Sequence, residues 1–350
     1  MKHLLDTGED ELRRWLANRG QPVYRAEQIY HWISRTCVDD FAGMTDLPKQ
    51  LRAELARDFC LWTTHTTTHR QADDGTEKLL LELAGGGSIE CVLLRDGARR
   101  SICISSQVGC AMGCVFCASG LDGVERNLST GEIIEQMQRL AQLLPEDERI
   151  SHLVVMGMGE PLANVDRLLP ALRWAQADVG LGISPRRITI STVGLPRAID
   201  RLSHDGLRYN LAVSLHAPHD ALRNQLVPVN EKIGLQAILA AADRYFHTSG
   251  RRLTFEYVLL ANVNDQPQHA HQLTELLSGR PALLNVIPYN PVPGLPYRTP
   301  SHANQRRFRE ILEASGVNVQ FRHRKGDAIN AACGQLRRTR SGPVTLERKV

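Results

Sequence analysis

The stretch SICISSQVGCAMGCVFC, Ser101–Cys117, decides the fold of this chain. It opens on an apolar run, Ser101–Ser105, that reads as a strand. It closes on three cysteines, Cys110, Cys114 and Cys117, in Cys-x3-Cys-x2-Cys spacing. Three thiolates are one short of a closed four-ligand metal site. An open coordination position is how a metal centre does chemistry rather than bracing a fold. The trio therefore suggests an iron–sulfur cluster with one iron free to hold a substrate. Structural zinc with a distant fourth ligand is the competing reading, and zinc sites favour paired Cys-x2-Cys spacings instead.

Beyond this stretch the pattern repeats as strand, loop, helix. Apolar, β-branched runs recur at His152–Met156, Arg187–Ser191, Asn210–Ser214, Thr254–Leu260 and Leu283–Pro288. Helical periodicity lies between them at Gly131–Leu144, Arg167–Gln176, Leu195–Ser203, Leu235–Phe246 and His269–Leu277, with Ser129 and Glu132 forming a capping box before the first. A helix at Asn304–Ala314 and a short seventh strand, Val317–Arg322, follow. Six strands alternating with helices predict a parallel sheet. The residues hardest to dismiss as turn chemistry sit where those strands end. They are the cysteine trio, Gly157–Pro161 (GMGEP), Ser191, Ser214-Leu215-His216 and Tyr289-Asn290-Pro291. Parallel α/β folds build their sites at that edge, so one common pocket is expected.

Upstream, residues 1 to about 70 read as helical, with amphipathic runs at Glu9–Asn18, Arg25–Arg35 and Leu47–Arg57. Their polar faces carry Arg13, Arg14, Arg19, Arg25, Arg35, Lys49, Arg52 and Arg57, which is either a solvated face or a grip for phosphates. Lys78–Leu83 and Ile89–Leu94, joined by Gly85-Gly86-Gly87, read as a hairpin. Glu90 lies in its second strand, where the solvent face is the default.

The 350 residues are 42% hydrophobic and 23% charged, with a formal net charge of +4, which permits a polyanionic partner without demanding one. No early apolar stretch resembles a signal peptide and no run approaches a membrane span, so the expected location is cytoplasmic, with no membrane partner. Eight cysteines in a reducing compartment argue for metal or catalysis over a disulfide framework. Cys37, Cys60 and Cys91 lie in apolar surroundings and read as core or idle thiols.

The Cys-x3-Cys-x2-Cys motif resembles that of the radical S-adenosylmethionine superfamily, whose core is a partial six-fold β/α barrel. The likeness sharpens over SICISSQVGCAMGCVFCASG, VVMGMGEPL, VSLHAP, VIPYNPVPG and GDAINAACGQL, which together resemble the RlmN/Cfr family of radical adenine methyltransferases. The upstream RAEQIYHWI and MTDLPKQLR resemble that family's small helical domain. The resemblance runs from Arg25 to Leu336 in the expected order, with Asn330 standing where the family commonly has Asp.

That resemblance implies an α/β fold: a partial (β/α)6 TIM-like radical SAM barrel with a small N-terminal helical domain and a β-hairpin extension. The divisions it implies are 1–70, a helical RNA-binding accessory domain; 71–95, the hairpin; 96–325, the barrel; and 326–350, a catalytic loop and basic tail. It implies a 4Fe-4S cluster on Cys110, Cys114 and Cys117. It implies S-adenosyl-L-methionine held by Gly159, Glu160, Ser191, Ser214, Leu215, His216 and Asn290. One molecule methylates a cysteine matching Cys333. A second is cleaved to a 5′-deoxyadenosyl radical that takes hydrogen from the S-methyl group. The methylene radical adds to adenine, a base matching Glu90 removes the ring proton, and a thiolate matching Cys103 attacks Cys333, leaving a disulfide. From the residues alone, Cys103 is an inward strand residue and Cys333 an inert thiol.

The implied reaction is methylation of adenosine carbon-2 in 23S rRNA, and often in tRNA beside the anticodon. An electron donor such as flavodoxin or ferredoxin is also implied. The related carbon-8 methyltransferase shares all five cysteines, and a non-catalytic metal-containing RNA-binding protein is the alternative of another class.

Overall fold

The computed structural model describes residues 1–322 and 325–337. Its main sheet has ten strands that neighbour one another strictly in chain order. They are β1 (Thr64–Gln71), β2 (Glu77–Leu83), β3 (Ser88–Asp96), β4 (Arg99–Cys103), β5 (His152–Val155), β6 (Ile188–Thr192), β7 (Asn210–Ser214), β8 (Leu253–Leu259), β9 (Ala282–Pro288) and β10 (Val319–Phe321). Pairing is antiparallel from β1 to β4 and parallel from β4 to β10. Consecutive parallel strands joined by helices are the barrel pattern, as opposed to the reversed order of a doubly wound sheet. The expected six parallel strands and the short seventh are all present.

The crossover helices are Thr130–Ala141, Val165–Gln176, Pro196–His204, Leu235–Ser249, Pro267–Leu277 and His302–Ala314. The first has its capping box: Ser129 accepts from the Glu132 backbone N–H, and the Glu132 carboxylate accepts from the Ser129 N–H. Arg126 pairs with Glu132 at 2.7 Å, placing a cation beside the same carboxylate.

Two readings need correction. The helical segment ends at Asp58, after helices Glu9–Ala17, Arg25–Ser34 and Lys49–Asp58, and Thr64–Gln71 is a strand. Its sequence, THTTTHRQ, lacks an apolar face and is largely exposed, as suits the edge of a sheet. Its threonines were the available signal. The hairpin is consequently part of a three-stranded meander fused to the barrel sheet. Glu90 is also buried, at 7% exposure. In β3, Ile89, Cys91 and Leu93 face the core, while residues 325–337 cover the other side, so both faces are closed.

The helical domain buries Leu12, Leu16, Ile29, Ile33, Leu51 and Leu55, and these belong to the same apolar core as the barrel. A charged seam joins the two. His3 lies 3.0 Å from Glu135 Oε1 and 3.7 Å from Asp6 Oδ2, and a Cβ on Gly131 would come within 2.0 Å of its ring. The Glu135 carboxylate also accepts from the Thr63 and Thr64 N–H groups at 2.7 and 2.9 Å. Burial alone would keep His3 neutral, but Asp6 and Glu135 outweigh it and push its pKa up to about 9.

A raised folded pKa means that the protonated His3 stabilises fully below its unfolded value of 6.5, and that this contribution fades as pH rises through about 9. His3→Ala is therefore expected to cost about 3 kcal/mol near pH 6, from leaving Glu135 without its cation. The difference from wild type should shrink between pH 6.5 and 9, as checked by denaturant unfolding across that range.

Candidate active site

The three cysteines lie in a loop bracketed by a small antiparallel ribbon, Gln107–Gly109 with Val124–Asn127. Inside it, the Cys110 N–H donates to Gly123 O at 2.9 Å and the Cys117 N–H to Cys114 O at 3.1 Å. The Val115 N–H donates to Leu226 O at 3.1 Å, tying the loop to a short helix, Asp220–Leu226, that the sequence reading missed. A second apolar cluster supports the loop from Phe116, Val193, Ala217, Leu226, Val227 and Tyr289. Burial pushes the Cys110 thiol up to about 12 and raises Cys114 and Cys117 as well. Among the described residues no three His, Cys, Asp or Glu side chains converge as they would around one ion. The trio instead lines the wall of a cavity of about 810 Å³.

Gly159, Glu160, Ser191, Ser214 and His216 line the same cavity. The GMGEP turn is set by close approach: Gly159 has φ +100°, and a Cβ there would lie 2.6 Å from Gln107 Cβ. Gln107 Oε1 accepts from the Glu160 N–H at 2.8 Å. Glu160 is 2% exposed, its Oε1 accepting from the Leu162 N–H at 3.0 Å and its Oε2 from the Val193 N–H at 2.9 Å. Neither oxygen meets a lysine or arginine among the described residues, and burial raises its pKa. It is a buried carboxylate still short of a cation.

His216 has a left-handed backbone, φ +62°, and packs edge-on to Phe116 at 4.8 Å. Its Nδ1 accepts from the Val258 N–H at 3.1 Å, and burial then pushes its pKa down to about 3. The ring is neutral, so Nε2 carries the proton and is a donor. Leu215 is fully buried and does not line the cavity.

Cys333 lines this cavity and a second one of about 1440 Å³. The second also holds Cys103, Arg99, Arg322, Lys325 and Asn290. Arg322 Nη1 is 4.0 Å from Cys333 Sγ, and its charge also acts on Cys103. Cys333 is exposed, and the Arg322 guanidinium beside it favours its thiolate. Both cysteines are free thiols in the structure. Asn290 Nδ2 donates to Cys333 O at 3.1 Å, and its Oδ1 is buried without a partner.

The segment bearing Cys333 is held from two sides. Ala118 N–H donates to Gly334 O at 2.8 Å, and Ser119 Oγ to Leu336 O at 2.6 Å. Across from them, Lys78 Nζ sits 2.7 Å from Glu90 Oε1 and 3.0 Å from Asn330 O, and the Arg337 N–H donates to Glu90 Oε2 at 2.9 Å. Glu90 lines neither cavity; its neighbour on β3, Val92, lines the second. Arg338, Arg340, Arg348 and Lys349 of the expected basic tail lie outside the described residues.

Sequence reasoning missed Lys78, Arg223, Glu256 and Arg322. Glu256 lines the cysteine cavity at 5% exposure, its pKa raised by burial. A lone acid inside an apolar strand, as in TFEYV, was its signal. Arg223 and Arg322 had none, being single arginines among many. Several arginines of the expected phosphate grip are paired inside the helical domain: Arg13 with Glu9, Arg19 and Arg57 with Asp58.

Residues 104–273 match the radical SAM superfamily, and residues 2–61 match the family described as ribosomal RNA large subunit methyltransferase N-terminal domain. A crystal structure of a radical SAM methyltransferase from Sphaerobacter thermophilus superposes with a TM-score of 0.93 at 43% identity, covering 96% of this chain and 99% of that one. Fold and site thus define a radical SAM methyltransferase. "Probable dual-specificity RNA methyltransferase RlmN" of Rhodopirellula baltica is 64% identical over 97% of this chain and 91% of that protein. The protein of the same name from Symbiobacterium thermophilum is 46% identical over 94% and 89%. The chain belongs to the RlmN family of RNA-methylating enzymes. Membership of the radical SAM superfamily implies S-adenosylmethionine and a 4Fe-4S cluster. The residues present fit both: three thiols free of disulfides and a carboxylate without a cation among the described residues line one cavity, and an orphaned amide oxygen on Asn290 lines the adjoining one.

Glu160→Gln removes a buried carboxylate that has no lysine or arginine partner among the described residues. In cluster-loaded protein it is expected to weaken S-adenosylmethionine binding by about ten- to a hundredfold, measured by anaerobic calorimetry.

Proposed function

We propose that this enzyme methylates carbon-2 of a specific adenosine in 23S rRNA, and the adenosine 3′ to the anticodon in tRNAs, with Cys333 as the methyl carrier. The observation that carries this reading is the position of Cys333. It lines both the cavity of the cysteine trio and the cavity of Cys103. A carrier has to meet a donor on one side and an acceptor on the other. The dual specificity in the relatives' names supports two RNA substrates.

In this reading Cys110, Cys114 and Cys117 hold the cluster, and Gly159, Glu160, Ser191, Ser214 and His216 hold S-adenosylmethionine, with Asn290 on the adjoining cavity and Leu215 buried behind the wall. Bound there, the pair supplies a transferable methyl group and a carbon radical able to take hydrogen from a methyl carbon. The protein's own groups do the rest. Glu160 takes the ammonium, and His216 Nε2 offers a hydrogen bond. Phe116 and its apolar neighbours exclude water. Arg322 stabilises the Cys333 thiolate as a nucleophile. The family resemblance assigns the ring proton to Glu90, which here lines neither cavity and is engaged by Lys78 and the Arg337 N–H, and Cys103 frees the product by joining Cys333 in a disulfide. The target base is splayed from a loop into the second cavity, since a ring carbon is out of reach inside a helix. An electron donor of the flavodoxin or ferredoxin kind and a cytoplasmic location complete the proposal. Among the described residues no helix is long and apolar enough to cross a membrane.

Mapping of methylated adenosines by mass spectrometry, in RNA from a deletion strain with and without the gene restored, tests the product. Carbon-2 methylation is expected, and a carbon-8 product would overturn the position assigned. Cys333→Ala should abolish methylation altogether. Cys103→Ala should leave RNA covalently attached to protein on a denaturing gel; free methylated RNA from that variant would remove Cys103 from its role.

A further inference from the structure

Among the described residues Arg223 is the largest fully buried side chain, at 0% exposure. It stands on the short helix Asp220–Leu226, whose last carbonyl accepts from Val115 in the cysteine loop. Its Nε donates to Leu215 O at 3.0 Å, its Nη2 to Val193 O at 2.6 Å and to Ser214 O at 2.8 Å, and its Nη1 to Asn230 Oδ1. Every one of these acceptors is neutral. Asp220, the acid closest in influence, spends its Oδ1 on the Asn230 amide and the Leu235 N–H, each at 2.8 Å, so a neutral amide stands between it and the guanidinium.

A tie between strand ends could be made by neutral donors. Burying a formal charge without a counter-ion is costly, so a charge in this position calls for an opposite charge nearby. Burial pulls the Arg223 pKa down to about 10, and the last carbonyl of its helix accepts from Val115, the neighbour of Cys114. Cys114 is neutral as a thiol and anionic as a metal ligand.

We infer that Arg223, on the helix bonded to Val115 of the three-cysteine loop, is the fixed counter-charge of that loop and stabilises the added negative charge of a reduced cluster. The inference rests on the cluster reading given above. One-electron reduction adds one negative charge and breaks no bond. A fixed cation alongside therefore favours the reduced form and raises the midpoint potential. Arg223 also holds the carbonyls of Val193, Ser214 and Leu215, so the same side chain aligns two strand ends that border the cavity.

The test separates charge from scaffolding. Arg223→Gln removes the charge and keeps an amide donor for the carbonyls. Arg223→Lys keeps the charge and loses the planar fork. Reconstituted full-length proteins are titrated anaerobically with dithionite and mediators, the reduced cluster being read by electron paramagnetic resonance, with iron and sulfide assays as controls. The reduced-to-oxidised ratio at the wild-type midpoint is expected to fall about tenfold or more in Arg223→Gln, and to stay near wild type in Arg223→Lys. An iron-replete Arg223→Gln protein with an unchanged midpoint would overturn the inference. So would an Arg223→Lys protein shifted as far as Arg223→Gln, because the cause would then be structural. If Arg223→Gln does not fold, Arg223→Lys decides: a wild-type midpoint with the fork lost supports the charge, and a lowered one overturns it. Wild-type protein that takes up no iron would instead defeat the cluster reading itself.

Discussion

The site depends on the clasp around residues 325–337. Lys78 and Glu90 hold this segment to the meander, and Ala118 and Ser119 hold it to the cysteine loop. Gly326 N–H adds a bond to Asp74 at 2.8 Å, and Lys325 one to Asp96 at 2.8 Å. No single bond here is strong, but the two sets pull on opposite sides of Cys333 and so fix where it can stand. The meander, which looks like an appendage to the barrel, earns its place as one jaw of that clasp. Removing either Lys78 or Glu90 alone would strand the other charge in an apolar setting, which costs more than the pair contributes.

Buried charges elsewhere in the chain fall into two kinds. His3 with Glu135, and Lys78 with Glu90, are matched pairs; the first joins parts of the chain far apart in sequence, and the second lies across two neighbouring strands of the meander. Among the described residues Glu160, Arg223 and Glu256, which border the cysteine cavity or its loop, have no ion-pair partner, and neither has Asp265, which takes neutral donors from Asn262, Gln266 and Asn304. Unmatched burial costs stability, and it persists where a ligand or reaction supplies the missing charge.

Much of this was legible in the chain because the barrel repeats one simple pattern. Apolar strand runs and helical periodicity placed all seven parallel strands, and the Ser129–Glu132 capping box was read residue by residue. The cysteine spacing and the GMGEP turn marked the carboxyl edge, and the structure gathers Cys110, Cys114, Cys117, Gly159, Glu160, Ser191, Ser214, His216 and Cys333 on one cavity. Three things escaped. Thr64–Gln71 has no apolar face, so hydrophobic pattern is blind to it. Glu90 is buried by residues more than 200 positions away, which no local window can reveal. Arg223 is distinguished only by what surrounds it in space.

The chain-order sheet has a consequence for synthesis. A ribosome releases β1 through β10 in the order in which they pair, so each new strand finds its neighbour already made. The clasp comes last, from the final part of the chain. Until it emerges, the hollow behind Cys110, Cys114 and Cys117 lacks the wall formed by Cys333 and Gly334. The nascent polypeptide thus passes through a stage in which that hollow stands open on the side that the clasp later walls off.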